Sequence, residues 1–255
     1  MIETLVGLAG GLLIGATGIG SGSLIAPLLI LAGYSPATAV GAGLVSLVLS
    51  KLTAAEVHRQ MGHLPKRNAL PLISGGLAGV AFTWLGTRTM GHWNLGKIEL
   101  DTVIRASLGV GLLLIAVTLV LPRNQNTPSA RTERLLDHPA LLFAIGVAVA
   151  VVVALTSAGA GGLLIPALLI TTRWEPTELA AVANFYGVAI GFTSIFVYLA
   201  HHSLNFTLIG LVLIGLLPGV VLGTRLSRLI SRPLLARGAG LIAGYLGCAL
   251  LLSRY

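Results

Sequence analysis

Two short stretches of this 255-residue chain carry its most reactive-looking chemistry, and both interrupt long apolar runs. The first, "TGIGSGSLIAPLLIL", covers 17–31; the second, "TSAGAGGLLIPALLI", covers 156–170. They match at Thr17/Thr156, Gly20/Gly159, Gly22/Gly161, Leu24/Leu163, Pro27/Pro166 and Leu29/Leu168. A helix restarting after such a break, at about Leu24 and Leu163, has first amides without intrahelical acceptors. It also turns its positive dipole end toward the break. Glycines let an anion approach backbone N–H groups closely. Thr17, Gly20, Ser21, Gly22 and Ser23 in the first break are therefore candidate anion ligands. Thr156, Ser157, Gly159, Gly161 and Gly162 are their counterparts in the second. The competing reading is that these glycines only let helices pack closely, as expected for Gly7/Gly11/Gly15, Gly75/Gly79, Gly215/Gly219/Gly223 and Gly240/Gly244.

Other polar residues lie where they could complete such a site. Asn184 falls in the middle of a long apolar run, and its echo in the first half is Ala42 ("AVGA" 39–42 against "AVAN" 181–184). It binds substrate or hydrogen-bonds helices together. Ser46 and Ser50, one turn apart, could line the same cavity. Lys51 either snorkels toward the basic loop that follows or draws anions inward. His58 and His201 occupy corresponding loop positions and are candidates for gating. All eight acids lie at or near segment ends, so the chain has no mid-span carboxylate relay. One cysteine, Cys248, allows no intrachain disulfide and no cysteine cluster, and no metal site or cofactor is expected.

The elements that must hold these residues follow from composition. The chain is 55% hydrophobic and 9% charged with mean hydropathy +0.94, against about 25% charged in soluble domains. Lipid is its solvent. The net charge of +8 sits mostly in short connections between apolar runs, which is the pattern of membrane orientation and not of nucleic-acid binding. Apolar segments of near-spanning length are expected at 37–57, 69–90, 102–121, 179–199, 206–223 and 234–252. Segments 2–33 and 139–172 are too long for one crossing and short for two.

Basic residues decide what those two do. If each crosses once, the loop lysines and arginines divide 7 against 7; if each turns back as a hairpin, they divide 11 against 3. The positive-inside rule selects the hairpin. The expected fold is an all-α polytopic membrane protein of two inverted repeats, each a Gly-broken helical hairpin plus three transmembrane helices. Residues 1–121 form the first repeat, 122–138 a cytoplasmic linker and 139–255 the second repeat, with both termini outside. Inverted repeats with interrupted helices are a secondary-transporter plan.

The break, followed by "AVGAGLVSLVLSKLTAAEVHRQMGHL" (39–64) and "WLGTRTM" (84–90), resembles the TauE/SafE sulfite exporter family, also called the 4-toluene sulfonate uptake permease family. The resemblance covers most of the chain, best over 10–90 and 150–232. It implies a bacterial or archaeal inner-membrane transporter of sulfite, sulfonates or related organic sulfur anions, often an exporter. Its pattern reaches Gly20, Gly22, Pro27, His58 and Gly62, and Gly159, Gly161, Pro166 and His201. The family often has Thr where this chain has Ala42, which shifts weight to Asn184. A small anionic substrate and the bilayer are the expected partners, with a homodimer left open. Alternatives are an importer coupled to a cation, an intramembrane hydrolase using Ser21 or Ser23 with His201, and a structural membrane protein. The hydrolase lacks a G-x-S-x-G motif, and Ser21 becomes Ala160 in the echo.

Overall fold

A computed structural model describes residues 1–17, 22–62, 69–90, 100–120, 138–172, 174–200, 204–227 and 232–252. The described residues form ten helices. They are α1 (Ile2–Thr17), α2 (Gly22–Leu31), α3 (Pro36–Gln60), α4 (Leu70–Met90), α5 (Leu100–Val120), α6 (Pro139–Thr156), α7 (Leu164–Thr171), α8 (Pro176–Ala200), α9 (Phe206–Leu226) and α10 (Arg232–Leu252). In lipid each backbone polar group needs an internal partner, which helices provide. Their starts are set locally. Ser35 accepts from the Thr38 amide and precedes Pro36, while the Asn205 side chain accepts from the Leu208 amide at 3.0 Å.

Among the described residues, six helices are long and apolar enough to cross a membrane: 36–60, 70–88, 101–120, 139–156, 177–200 and 206–226. The protein is a multi-pass membrane protein. One difference from expectation is that α6, at 18 residues, is long enough to span by itself. The apolar run 139–172 thus divides unequally, with only eight residues left for α7.

Chain direction follows from side-chain contacts. The Tyr34 hydroxyl donates to Glu3 Oε1 at 2.6 Å, and a Cβ on Gly10 would meet the Ile25 side chain. So α2 runs back alongside α1. In the second half the Tyr186 hydroxyl donates to Gly146 O (2.6 Å) and the Tyr198 hydroxyl to Ala154 O (3.0 Å). α6 and α8 are therefore parallel, and α7 must return the chain between them.

The helix pairs repeat across the two halves. α1 packs on α9 as α4 packs on α6; α2 packs on α3 as α7 packs on α8. α3 packs on α8, and α5 on α10. Gly187 lies against Lys51 and Gly191 against Val48, so α3 and α8 run antiparallel; Gly109 lies against Leu251 and Gly240 against Val120, so α5 and α10 do too. These two pairs, α3 with α8 and α5 with α10, thus run in opposite directions. The core that joins them is built on Leu24, Ile25, Leu29, Leu44, Leu72, Leu108, Leu164 and Tyr186.

Tyr186 is fully buried and holds α8 to α6 through one hydroxyl bond. Tyr186→Phe leaves the Gly146 carbonyl without that donor. It should lower stability by about 1 kcal/mol, read as a lower thermal midpoint in detergent with helicity unchanged.

Candidate functional site

The second break is described throughout. α6 ends where Ser157 enters the left-handed region at φ 57, its amide bonded to Val153 O. Gly159 follows at φ 107, a conformation open to glycine. The Thr156 hydroxyl donates to Val152 O (2.6 Å) and accepts from the Ala158 amide (3.1 Å), and Ser157 Oγ donates to Thr156 O (2.6 Å). Both hydroxyl protons are therefore turned onto local backbone. The amides of Leu163 and Leu164 bond to Gly159 O, and that of Ile165 to Gly161 O; Pro166 has none.

Here the expected donors move. The first amides of the restarted helix, at Leu163 and beyond, are consumed by the turn's own carbonyls. Within the second break, the amides left without an acceptor are those of Gly159, Ala160, Gly161 and Gly162. Consecutive backbone N–H groups in a turn of this kind form an anion-binding concavity. Ile115 of α5 packs against Gly162, and Thr118 Oγ1 reaches Gly162 O at 3.4 Å, which fixes the turn from the first half of the chain. Substituting Gly159 with alanine should cost about 1–3 kcal/mol through backbone strain; a thermal midpoint equal to wild type would show that the turn relaxes freely.

The first break is described only at its edges. Gly20 and Ser21 lie outside the described residues, as do the side chains of Thr17 and Gly22. α2 begins at Gly22, and Ser23 is buried. Pro166 sits in the first turn of α7, where its missing N–H removes nothing. Pro27 is instead the sixth residue of α2, so Ser23 O lacks the usual i+4 amide.

Two glycines mark what the second break approaches. A Cβ placed on Gly43 of α3 would collide with Ser157 Oγ and come within 3.3 Å of Ala26 Cβ. The second break and α2 of the first hairpin thus touch one point, seven residues into α3. A Cβ on Gly187 of α8 would lie 3.3 Å from Ala160 Cβ and 3.1 Å from Lys51 Cγ. That point is eleven residues, about 16 Å at helical rise, into a 25-residue helix. The turn therefore sits beside the middle stretches of α3 and α8.

Lys51 and Asn184 meet there. Lys51 Nζ donates to Asn184 Oδ1 at 2.9 Å, and both residues are buried at 8% exposure. The snorkelling expectation for Lys51 is corrected: the ammonium turns inward because the antiparallel α8 brings an amide acceptor to it. Ser46 is buried but donates to Ala42 O (2.9 Å), and Ser50 donates to Leu47 O (3.0 Å). Both hydroxyl protons are directed along α3 itself. His58 is half-buried in the last turn of α3, about 10 Å of helix beyond Lys51. His201 lies outside the described residues. The residues that sequence reasoning missed are Gly43, Ala160 and Gly187, whose small size makes the room. The only signal for them was their position in small-residue stretches.

These features define a class: a polytopic helical membrane protein with two interrupted hairpins meeting beside a buried cation. A family model described as "Sulfite exporter TauE/SafE" matches residues 4–250. The chain belongs to the TauE/SafE family, and so to a family of membrane transporters. It is 28% identical over 237 residues to the "Probable membrane transporter protein YjnA" of Bacillus subtilis (strain 168), covering 90% of this chain and 91% of that relative. No solved structure matches the chain at a significant level.

Proposed function

We propose that this TauE/SafE member is a secondary transporter of small sulfur-containing oxyanions, sulfite or sulfonates, working chiefly as an exporter. The anion is held between the two interrupted hairpins, near the membrane midplane. The observation that carries this reading is the run of four acceptor-free amides at Gly159–Gly162, which lies beside α8 and follows Ser157, the residue that meets Gly43 next to Ala26 of α2. Buried backbone donors are rarely left unpaired, and irregular backbone at membrane depth is tolerated where it lines a wet cavity.

The repeats are 1–121 and 139–255, inverted about an axis in the membrane plane, with 122–138 and the other basic connections cytoplasmic and both termini outside. The antiparallel pairing of α3 with α8 and of α5 with α10 supports this. So does the chain reversal at Tyr34 and Glu3. The membrane is then the bacterial or archaeal inner membrane. The YjnA relative, named as a transporter, supports the same class.

An inside-negative potential drives a monovalent anion outward by about 2.3 kcal/mol per 100 mV, so export needs no coupling ion. Purified protein in liposomes loaded with sulfite or methanesulfonate should release the anion when potassium and valinomycin set the interior negative. Empty liposomes should release none. Absence of flux for every sulfur oxyanion would overturn the reading, and flux that requires a sodium or proton gradient would replace export by coupled import.

A further inference from the structure

We infer that Lys51 is the fixed counter-charge of the transported anion, and that its single ammonium restricts the cargo to anions of one negative charge. This rests on the anion-carrier reading above and deepens it.

The observations are geometric. Lys51 is nine residues, about 14 Å of helix, from the end of α3. It is 8% exposed, and Asn184 Oδ1 is the acceptor of its ammonium. An ammonium carries three donors, and a side-chain amide oxygen cancels none of its charge. Ion pairs formed by side chains of the described residues include Glu3 with the N-terminus and Glu56 with Arg59. Lys51 belongs to neither, and no described carboxylate lies within 4.0 Å of it. A buried charge without a counter-ion is costly, and inside a membrane such a residue marks a pathway.

The surroundings say where the counter-ion comes from. The lysine stem passes the Cβ position of Gly187, and Ala160 of the second break lies 3.3 Å from that same point. The ammonium and the acceptor-free amides of Gly159–Gly162 therefore border one region. The amides supply dipoles and Lys51 supplies the one full charge. The duplication does not double it: with "AVGA" laid on "AVAN", Lys51 falls opposite Thr193, which donates to Ala189 O of its own helix. A monoanion makes the loaded centre neutral. A dianion leaves a net charge to be carried through low dielectric, and the desolvation cost of that charge blocks it.

Methanesulfonate and sulfate separate the idea cleanly, since they are nearly equal in shape and differ in valence. In proteoliposomes, wild-type flux of methanesulfonate should exceed that of sulfate by about 100-fold, on the scale seen for an uncompensated buried charge. Lys51→Met should lower methanesulfonate flux by about 100-fold on the same scale, with its thermal midpoint in detergent no lower than wild type. Lys51→Arg keeps the charge and should retain the preference for methanesulfonate. Equal wild-type rates for the two anions would overturn the inference while leaving an anion carrier intact. So would a Lys51→Met protein that transports methanesulfonate at the wild-type rate. Failure of the wild type to move either anion would instead remove the carrier reading, and this inference with it.

Discussion

Gly11→Val is expected to eliminate folded protein from the membrane. A Cβ at Gly11 would stand 2.5 Å from Leu216 O, 2.9 Å from Val220 N and 3.0 Å from Gly219 Cα. All three are backbone atoms of α9, so no rotamer change can relieve the contact. Gly219 reciprocates, with its own Cβ position 2.5 Å from Leu8 O and 3.0 Å from Gly11 Cα. Gly7 and Gly15 of α1 and Gly215 and Gly223 of α9 make the same kind of approach along one parallel seam. Small residues of this spacing let membrane helices meet backbone to backbone. Separating α1 from α9 by a valine would also carry off the first hairpin, because α1 and α2 are one folded-back unit. Overpacking a well-fitted core costs about 1–3 kcal/mol and occasionally more, and here the obstruction cannot yield. Gly210, also on α9, has nothing within 4 Å of its Cβ position and is exposed. Gly210→Ala should hold or gain up to about 1 kcal/mol through helix propensity. Monodisperse yield in detergent and the thermal midpoint read both variants. Equal yields for the two would mean the seam is not as tight as described.

Gly187→Val should leave the protein folded and remove its transport. The added Cβ lies 3.1 Å from Lys51 Cγ and 3.3 Å from Ala160 Cβ, so the neighbours are a flexible stem and a turn instead of rigid helix backbone. The chain can give way, at a folding cost of about 1–3 kcal/mol. What gives way, however, is the approach of the ammonium to the second break. Displacing Lys51 from Asn184 Oδ1 unsettles a buried charge, and a loss of at least about 30-fold in anion flux is expected on the scale of such losses. Flux within a few-fold of wild type, at normal yield, would mean that Lys51 and Ala160 need not be close for transport.

Much of this was legible in the sequence because it depends on local or periodic features. Length and glycine content marked 2–33 and 139–172 as interrupted, and the loop arginines implied that they turn back, as the Tyr34 hydroxyl on Glu3 and the parallel run of α6 and α8 support. The Gly7/Gly11/Gly15 spacing announced a packing seam, though not that its partner would be Gly215/Gly219/Gly223 of the other half.

The site itself was less legible. Hydroxyls look like donors in a sequence, but Thr156 and Ser157 spend their protons on Val152 O and Thr156 O. That is the ordinary competition of short polar side chains for nearby backbone. The free amides shift from Leu163 to Gly159–Gly162 because the turn's carbonyls cap the restarted helix. Lys51 and Asn184 were each conspicuous alone. Their pairing spans 133 positions and depends on how antiparallel α3 and α8 meet, which no local pattern encodes.

The central claim is that an anion sits between Lys51 and the second break. Crystals grown with bromomethanesulfonate, a sulfonate whose flux through the protein is first verified in liposomes, would locate it by the anomalous signal of bromine. The account predicts one strong peak whose attached sulfonate lies within hydrogen-bonding distance of the Gly159–Gly162 amides and of Lys51 Nζ. A transported anion found elsewhere, with tightly packed side chains filling the space between Ala160, Lys51 and α2, would contradict it.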